Sequence, residues 1–166
     1  MRFIKLILIG AVAIFVVVWL MSLFFPSFVR VSRAINIHAS KEELRPYLAD
    51  INKWEKWNEM ISDRQFSHKQ ITERVFTSDQ LTVRIQLVHE DSVAVVWTQE
   101  NGKEIPGGFN LYAGDNPSVT TVHWYFDFRL RWYPWEKIGS IIFDKQLGPV
   151  MEKSLDNLRN IAEQKQ

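Results

Sequence analysis

The chain contains no cysteine, which excludes disulfides, thiolate metal sites and cysteine nucleophiles and leaves the redox compartment open. Net charge is equally scant. The formal value is +1, from 20 basic and 19 acidic side chains, and setting aside Arg2 and Lys5 turns it to −1, with 18 basic against 19 acidic. Such a chain has no electrostatic footprint for nucleic acid. There is no glycine-rich phosphate loop, nucleophile elbow or zinc signature, and no internal repeat or low-complexity tract. His38, His68, His89 and His123 lie far apart, and none pairs with another His, Asp or Glu at metal-ligand spacing on one element, so neither metal nor cofactor is expected. What remains, 166 residues at 46% hydrophobic and 23% charged, is ordinary globular composition: one domain plus an appendage.

The appendage is the N-terminal apolar run. From Leu6 to Phe25 there are 20 residues without a charge, close to the roughly 20 that a helix needs to cross a bilayer core. Leu6 and Phe15 fall in this span, Trp19, Phe24 and Phe25 suit its far interface, and Pro26 ends it. A cleaved signal peptide has a shorter apolar core followed by a small-x-small site, and Met21-Ser22-Leu23-Phe24-Phe25-Pro26 offers none. The expected organisation is therefore a single-pass anchor over residues 1–28 and a domain over 29–166. Orientation is not settled by charge, because Arg2 and Lys5 compete with Arg30, Arg33, Lys41 and Arg45. The short basic leader resembles a secretory n-region and places the domain on the extracytoplasmic side.

The domain opens on a strand, with Val29, Val31, Ile35 and Ile37 alternating with polar neighbours. Ser40 followed three residues on by Glu43 predicts a capping box and a short helix carrying Leu44, Tyr47 and Leu48 inward. Trp54 and Trp57 mark a second helical turn whose indoles dock on the domain. Strands follow near Phe66–Ser78, Leu81–Glu90, Ser92–Glu100, Lys103–Ala113 and Ser118–Arg131, and links this short demand antiparallel neighbours. Asn101-Gly102 predicts a two-residue type I′ hairpin. Pro106-Gly107-Gly108 predicts a bulge or bend.

The last strand and the tail fit each other. Thr120, Val122, Trp124, Phe126, Phe128 and Leu130 share one face, while Thr121, His123, Tyr125, Asp127, Arg129 and Arg131 share the other. Phe143, Leu147, Val150, Met151, Leu155, Leu158, Ile161 and Ala162 recur at steps of three and four, an apolar helical stripe. Gly148-Pro149 either kinks one long helix or separates two. The order of elements is α+β, with about six antiparallel strands curved around a long C-terminal helix.

Four segments carry a resemblance to a known family. Val31-Ser32-Arg33-Ala34-Ile35-Asn36-Ile37 with Ser40-Lys41-Glu42-Glu43, then Trp54-Glu55-Lys56-Trp57, then Ser118-Val119-Thr120-Thr121-Val122-His123-Trp124, then the run from Leu147 to Leu158, together resemble the START-like superfamily, also labelled SRPBCC or polyketide cyclase/dehydrase. The resemblance covers residues 29–164 and departs from the frequent Trp-x-x-Trp-x-Pro-Trp pattern at Asn58-Glu59-Met60. It implies a helix-grip fold whose last helix closes an apolar cavity against the sheet.

It further implies that Trp97, Phe109, Trp124, Phe126, Phe128, Met151 and Leu155 line that cavity around a hydrophobic small molecule or lipid. No catalytic residue is carried by the shared segments, and fold alone does not select the activity. Glu55, Glu59 and Tyr112 read as solvated surface groups, and His123 and Asp127 stand too far apart along a strand to form a pair. Three readings stay open: a membrane-tethered binding module, a cyclase/dehydratase-like enzyme, and a structural or protein-interaction domain with a filled core. Oligomeric state is not encoded in any of these features.

Overall fold

The computed structural model describes residues 2–22, 27–62, 66–114, 118–131 and 141–164. Helix α1 (Arg2–Ser22) precedes strand β1 (Phe28–Ile37), helix α2 (Lys41–Ala49), a 3-10 turn (Ile51–Lys56) and the single-turn helix α3 (Glu59–Ser62). Strands β2 (Gln70–Ile71), β3 (Val75–Thr77), β4 (Leu81–Val88), β5 (Ser92–Gln99), β6 (Glu104–Ala113) and β7 (Thr120–Arg129) lead to the C-terminal helix α4 (Ile141–Glu163). The sheet is antiparallel throughout, in the order β1-β7-β6-β5-β4-β3-β2. It has seven strands because Phe66–Ser78 is not one strand. Thr72 closes a turn there: its backbone N–H donates to the Val75 carbonyl at 2.8 Å, and its Oγ1 accepts from the Val75 N–H at 3.0 Å. That local bonding diverts the extended run into a short hairpin.

Two turn predictions are corrected. Gln99 N–H donates to the Lys103 carbonyl at 3.1 Å and Gly102 N–H to the Gln99 carbonyl at 2.8 Å, so the β5–β6 loop has three residues rather than two. Gly102 has φ 75 and Asn101 does not turn left-handed, the arrangement of a type I turn closed by a left-handed glycine. Nor is there a bulge at Pro106-Gly107-Gly108, where registry with β5 runs unbroken from Glu104 to Asn110. The irregularity lies in β4, between Ile85 and Leu87. Pro106 is tolerated because β6 pairs with β7 only from Gly107 onward, so no ladder donor is lost on that side. The glycines serve close approach instead: a Cβ at Gly107 would sit 2.6 Å from the Tyr125 carbonyl, and one at Gly108 would run into the Val93 carbonyl.

The capping box forms as expected, with Glu43 N–H donating to Ser40 Oγ at 3.3 Å and Ser40 N–H to Glu43 Oε2 at 2.8 Å. Helix α4 is continuous through Gly148-Pro149. Its stripe buries Met151, Leu155, Leu158 and Ala162 against the inner face of the sheet, where Val122, Trp124, Phe126 and Phe128 of β7 are also buried. The outer residues Thr121, His123, Tyr125 and Asp127 are half-buried by one another. Helix α1 stands outside this core. Its segment Phe3–Met21 has a mean hydropathy of 2.8 and no buried residue. Leu6, Phe15 and Trp19 are exposed along it, and Phe25 lies outside the described residues.

Candidate functional site

The inner face of the sheet, the two Trp residues of the 3-10 turn and helix α4 enclose one aromatic interior. All seven residues expected to line a cavity lie there: Trp97, Phe109, Trp124, Phe126, Phe128, Met151 and Leu155 are each buried in the same cluster. Strand parity places the five aromatic residues, because β5, β6 and β7 lie side by side and turn these positions inward, and the apolar stripe of α4 places Met151 and Leu155. Trp124 is central, with ring centroids 5.2 Å from Phe109, 5.5 Å from Phe126 and 6.4 Å from Trp97. Phe128 reaches α4 through Phe143 at 4.6 Å. Gly107 pairs with Phe126 across β6 and β7, and a side chain there would meet the Phe126 ring at 3.2 Å.

Trp54 and Trp57 belong to this interior as well, which the sequence reading placed only as docked on the domain. Trp54 stacks on Trp97 at 6.1 Å and meets Phe109 edge-on at 5.4 Å, while Trp57 meets Trp124 at 6.1 Å. The Trp-x-x-Trp spacing was the available signal, since three residues make one turn of a 3-10 helix and bring both rings to one side.

The four indoles divide by hydrogen bonding. Trp54 Nε1–H donates to the Leu48 carbonyl at 3.1 Å and Trp57 Nε1–H to the Tyr47 carbonyl at 3.3 Å. Trp97 Nε1 and Trp124 Nε1, buried on the sheet, have no acceptor among the described protein atoms. Asn58 shares that condition. Its Oδ1 accepts from the Met60 N–H at 3.0 Å, capping α3, but its Nδ2 is buried without a partner. The other buried polar side chains are satisfied internally: Thr120 Oγ1 donates to the Ala39 carbonyl at 2.8 Å and Ser154 Oγ to the Val150 carbonyl at 2.7 Å. What the interior lacks is acceptors, and each unmet donor costs about 1–3 kcal/mol.

The titratable residues gather elsewhere. Glu59 is tied to α4, accepting from Asn157 Nδ2 at 2.9 Å and pairing with Lys153 at 3.2 Å. Tyr112 is exposed on the outer face of the sheet and Glu55 is exposed on the 3-10 turn. On that outer face Arg30 donates twice to Asp127, at 2.6 and 2.7 Å, and lies 4.6 Å from the Tyr125 ring. Tyr125 in turn stacks on His123 at 5.9 Å. Burial, assisted by the Arg30 charge, holds the His123 pKa below its ordinary value. Among the described residues no three His, Asp or Glu stand together in a way that could hold a metal ion.

Comparison with known proteins agrees with this geometry. No curated protein matches the chain. A Staphylococcus aureus protein of unknown function is 13% identical over 83% of this chain and 95% of its own, with a TM-score of 0.62. A conserved protein of Geobacillus kaustophilus gives 11%, 82%, 96% and 0.61. A protein of the dynemicin biosynthetic locus is 18% identical over 83% of this chain with a TM-score of 0.54, and this chain spans about half of it, 48%. At such identities the likeness is one of fold. The sequence model described as "Polyketide cyclase / dehydrase and lipid transport" matches residues 29–163, most of the chain. A sheet closed by a C-terminal helix over an aromatic interior, together with that match, makes this chain a member of the polyketide cyclase/dehydrase and lipid transport family.

Proposed function

We propose that the domain is a binding module for a hydrophobic small molecule or lipid that carries an oxygen acceptor, held between the sheet and α4. The observation that carries this reading is the pair of buried indole N–H groups of Trp97 and Trp124, which have no acceptor among the described protein atoms. Aromatic walls supply the affinity for an apolar body. The donors ask for a carbonyl, hydroxyl or carboxylate oxygen on it. Binding rather than turnover is supported by the buried polar side chains among the described residues, Asn58, Thr120 and Ser154, none of which ionises in the ordinary pH range.

In this proposal residues 1–28 form a single-pass anchor, and residues 29–166 present the cavity near the bilayer in which such ligands partition. The resemblance of the basic leader to a secretory n-region supports an extracytoplasmic domain as part of this proposal. Phe128, Met151 and Leu155 complete the lining.

The test is purification of the full chain in detergent, followed by native mass spectrometry of what stays bound. One oxygen-bearing lipophile should recur. Trp97→Phe and Trp124→Phe keep a ring and remove the donor, so each should weaken retention about 2- to 12-fold, the equivalent of one net hydrogen bond. A consistently empty interior, or a bound species indifferent to both substitutions, refutes the proposal.

A further inference from the structure

Besides the two indoles, the interior holds a third unmet donor, on a side chain whose oxygen is already committed. Asn58 is fully buried, and its Oδ1 accepts from the Met60 N–H at 3.0 Å. That bond fixes the orientation of the amide and leaves Nδ2 as the end without a partner among the described protein atoms. Asn58 stands where the 3-10 turn meets α4. The Glu59 N–H donates to Ser154 Oγ at 3.0 Å there, and Asn157 Nδ2 to the Trp57 carbonyl at 3.4 Å. Trp57, directly before Asn58, is the residue that meets the Trp124 ring at 6.1 Å.

Acceptors in the same region are used up. Ser154 Oγ works in both directions, taking the Glu59 N–H and giving its own proton to the Val150 carbonyl. Thr120 Oγ1 donates to the Ala39 carbonyl, and it opens β7, four residues and about 13 Å along the strand from Trp124. Carbonyls of the ladder point towards neighbouring strands, not out of the face of the sheet. Pro149 does deprive one helical carbonyl of its donor, that of Lys145, but both residues lie on the exposed side of α4. Charge is missing as well. Apart from the indoles, the buried polar side chains among the described residues are Asn58, Thr120 and Ser154, and none is ionised. Arg33, which faces α4 from β1, is committed to Asp144 and Glu152.

We infer that the bound molecule is a neutral lipophile whose polar atoms only accept hydrogen bonds, a ketone or an ester, and that Asn58 Nδ2 is one of the groups that select it. The inference rests on the binding reading above and narrows it. A carbonyl oxygen satisfies an unmet donor and brings no polar group that needs a further partner. An alcohol carries an O–H of its own into a space with no acceptor to receive it. A carboxylate carries a charge with no cation to meet it, so an acid enters in its protonated form.

The full chain, stripped of bound lipid in detergent, is offered probes of matched length in pairs: methyl pentadecyl ketone, methyl palmitate, hexadecanol, palmitic acid and heptadecane. Native mass spectrometry reads which is retained. The ketone and the ester should outcompete hexadecanol by about 5-fold or more, the equivalent of one stranded donor. Both should be held equally at about pH 5 and about pH 8, whereas palmitic acid should lose ground by up to about tenfold per pH unit above its own pKa. Asn58→Asp keeps the oxygen that caps α3 and replaces the donor with an acceptor, so the ketone-to-alcohol ratio should move towards hexadecanol by about 2- to 12-fold. Trp124→Phe, which removes a donor that both probes use, should leave that ratio unchanged. The wild-type ranking remains the test where Asn58→Asp does not fold. Hexadecanol, or palmitate at about pH 8, held as tightly as the ketone overturns the inference and leaves the binding reading intact. A ratio that a folded Asn58→Asp protein does not change overturns the role of Asn58. Heptadecane held as well as the ketone, or no probe held at all, refutes the binding reading and this inference with it.

Discussion

His123 shows how far a single position can be read and where reading stops. Alternation along β7 puts it on the outer face with Asp127, and that is where it lies. What alternation does not convey is the company on that face: Tyr125 stacked at 5.9 Å, Tyr112 at 6.3 Å, and Arg30 pinned by Asp127. Burial and the Arg30 charge lower its folded pKa, so the unfolded chain takes up the proton first. Stability is then complete above the ordinary histidine value of about 6.5 and is lost as pH falls from there towards the lower folded pKa. Melting wild type and His123→Gln in parallel from about pH 8 to about pH 5 should show the variant gaining on wild type as acid is added. A difference that does not change with pH removes the assignment. The same limit governs the indoles. Nothing in the sequence separates Trp54, which bonds to the Leu48 carbonyl, from Trp97, which bonds to no described protein atom. The distinction depends on what stands opposite in space.

Helix α4 is held to β1 by an arrangement that its periodicity could not disclose. Arg33 donates to Glu152 at 2.6 Å and to Asp144 at 2.8 and 3.2 Å, spanning more than two turns of the helix. Between those carboxylates lies Gly148, and any side chain there would collide with the guanidinium. The glycine that looked like a helix break is a seat for Arg33. Gly148→Ala therefore combines two opposed effects. Alanine favours the helix by about 0.8–1 kcal/mol, whereas displacing Arg33 gives up two partly exposed pairs worth about 0–1 kcal/mol each. In the wild-type background these should nearly cancel. In an Arg33→Ala background only the gain remains, so Gly148→Ala should stabilise by about 1 kcal/mol in chemical denaturation. An equal effect in both backgrounds would show that the two residues are not coupled. Local signals did predict other elements well, Ser40 and Glu43 among them. They failed where a side chain rewired the backbone, as Thr72 does between β2 and β3.

For the molecule as a whole, the fold was legible because its faces are consistent: one strand, β7, alternates without exception, and one helix, α4, carries the matching stripe. The orphaned donors were not, since they arise from what residues distant in sequence place around each indole. Helix α1 poses the remaining question. Its apolar segment Phe3–Met21 is 19 residues long and wholly exposed, about 29 Å at 1.5 Å per residue, against a hydrocarbon core of about 30 Å. An apolar surface of that extent is foreign to a soluble monomer and needs a bilayer or removal. An anchor and a cleaved signal differ in what they leave behind. If α1 is retained, membranes washed at alkaline pH keep the protein, and its intact mass includes the residues before Phe28. A charge at the middle of the span should then undo it, since Val12→Arg costs about 2.5–3.5 kcal/mol at the centre of a membrane helix, enough to shift insertion by about a hundredfold. Recovery of a soluble form beginning near Ser27 would instead identify α1 as a targeting segment and leave the rest of the chain to act without a tether.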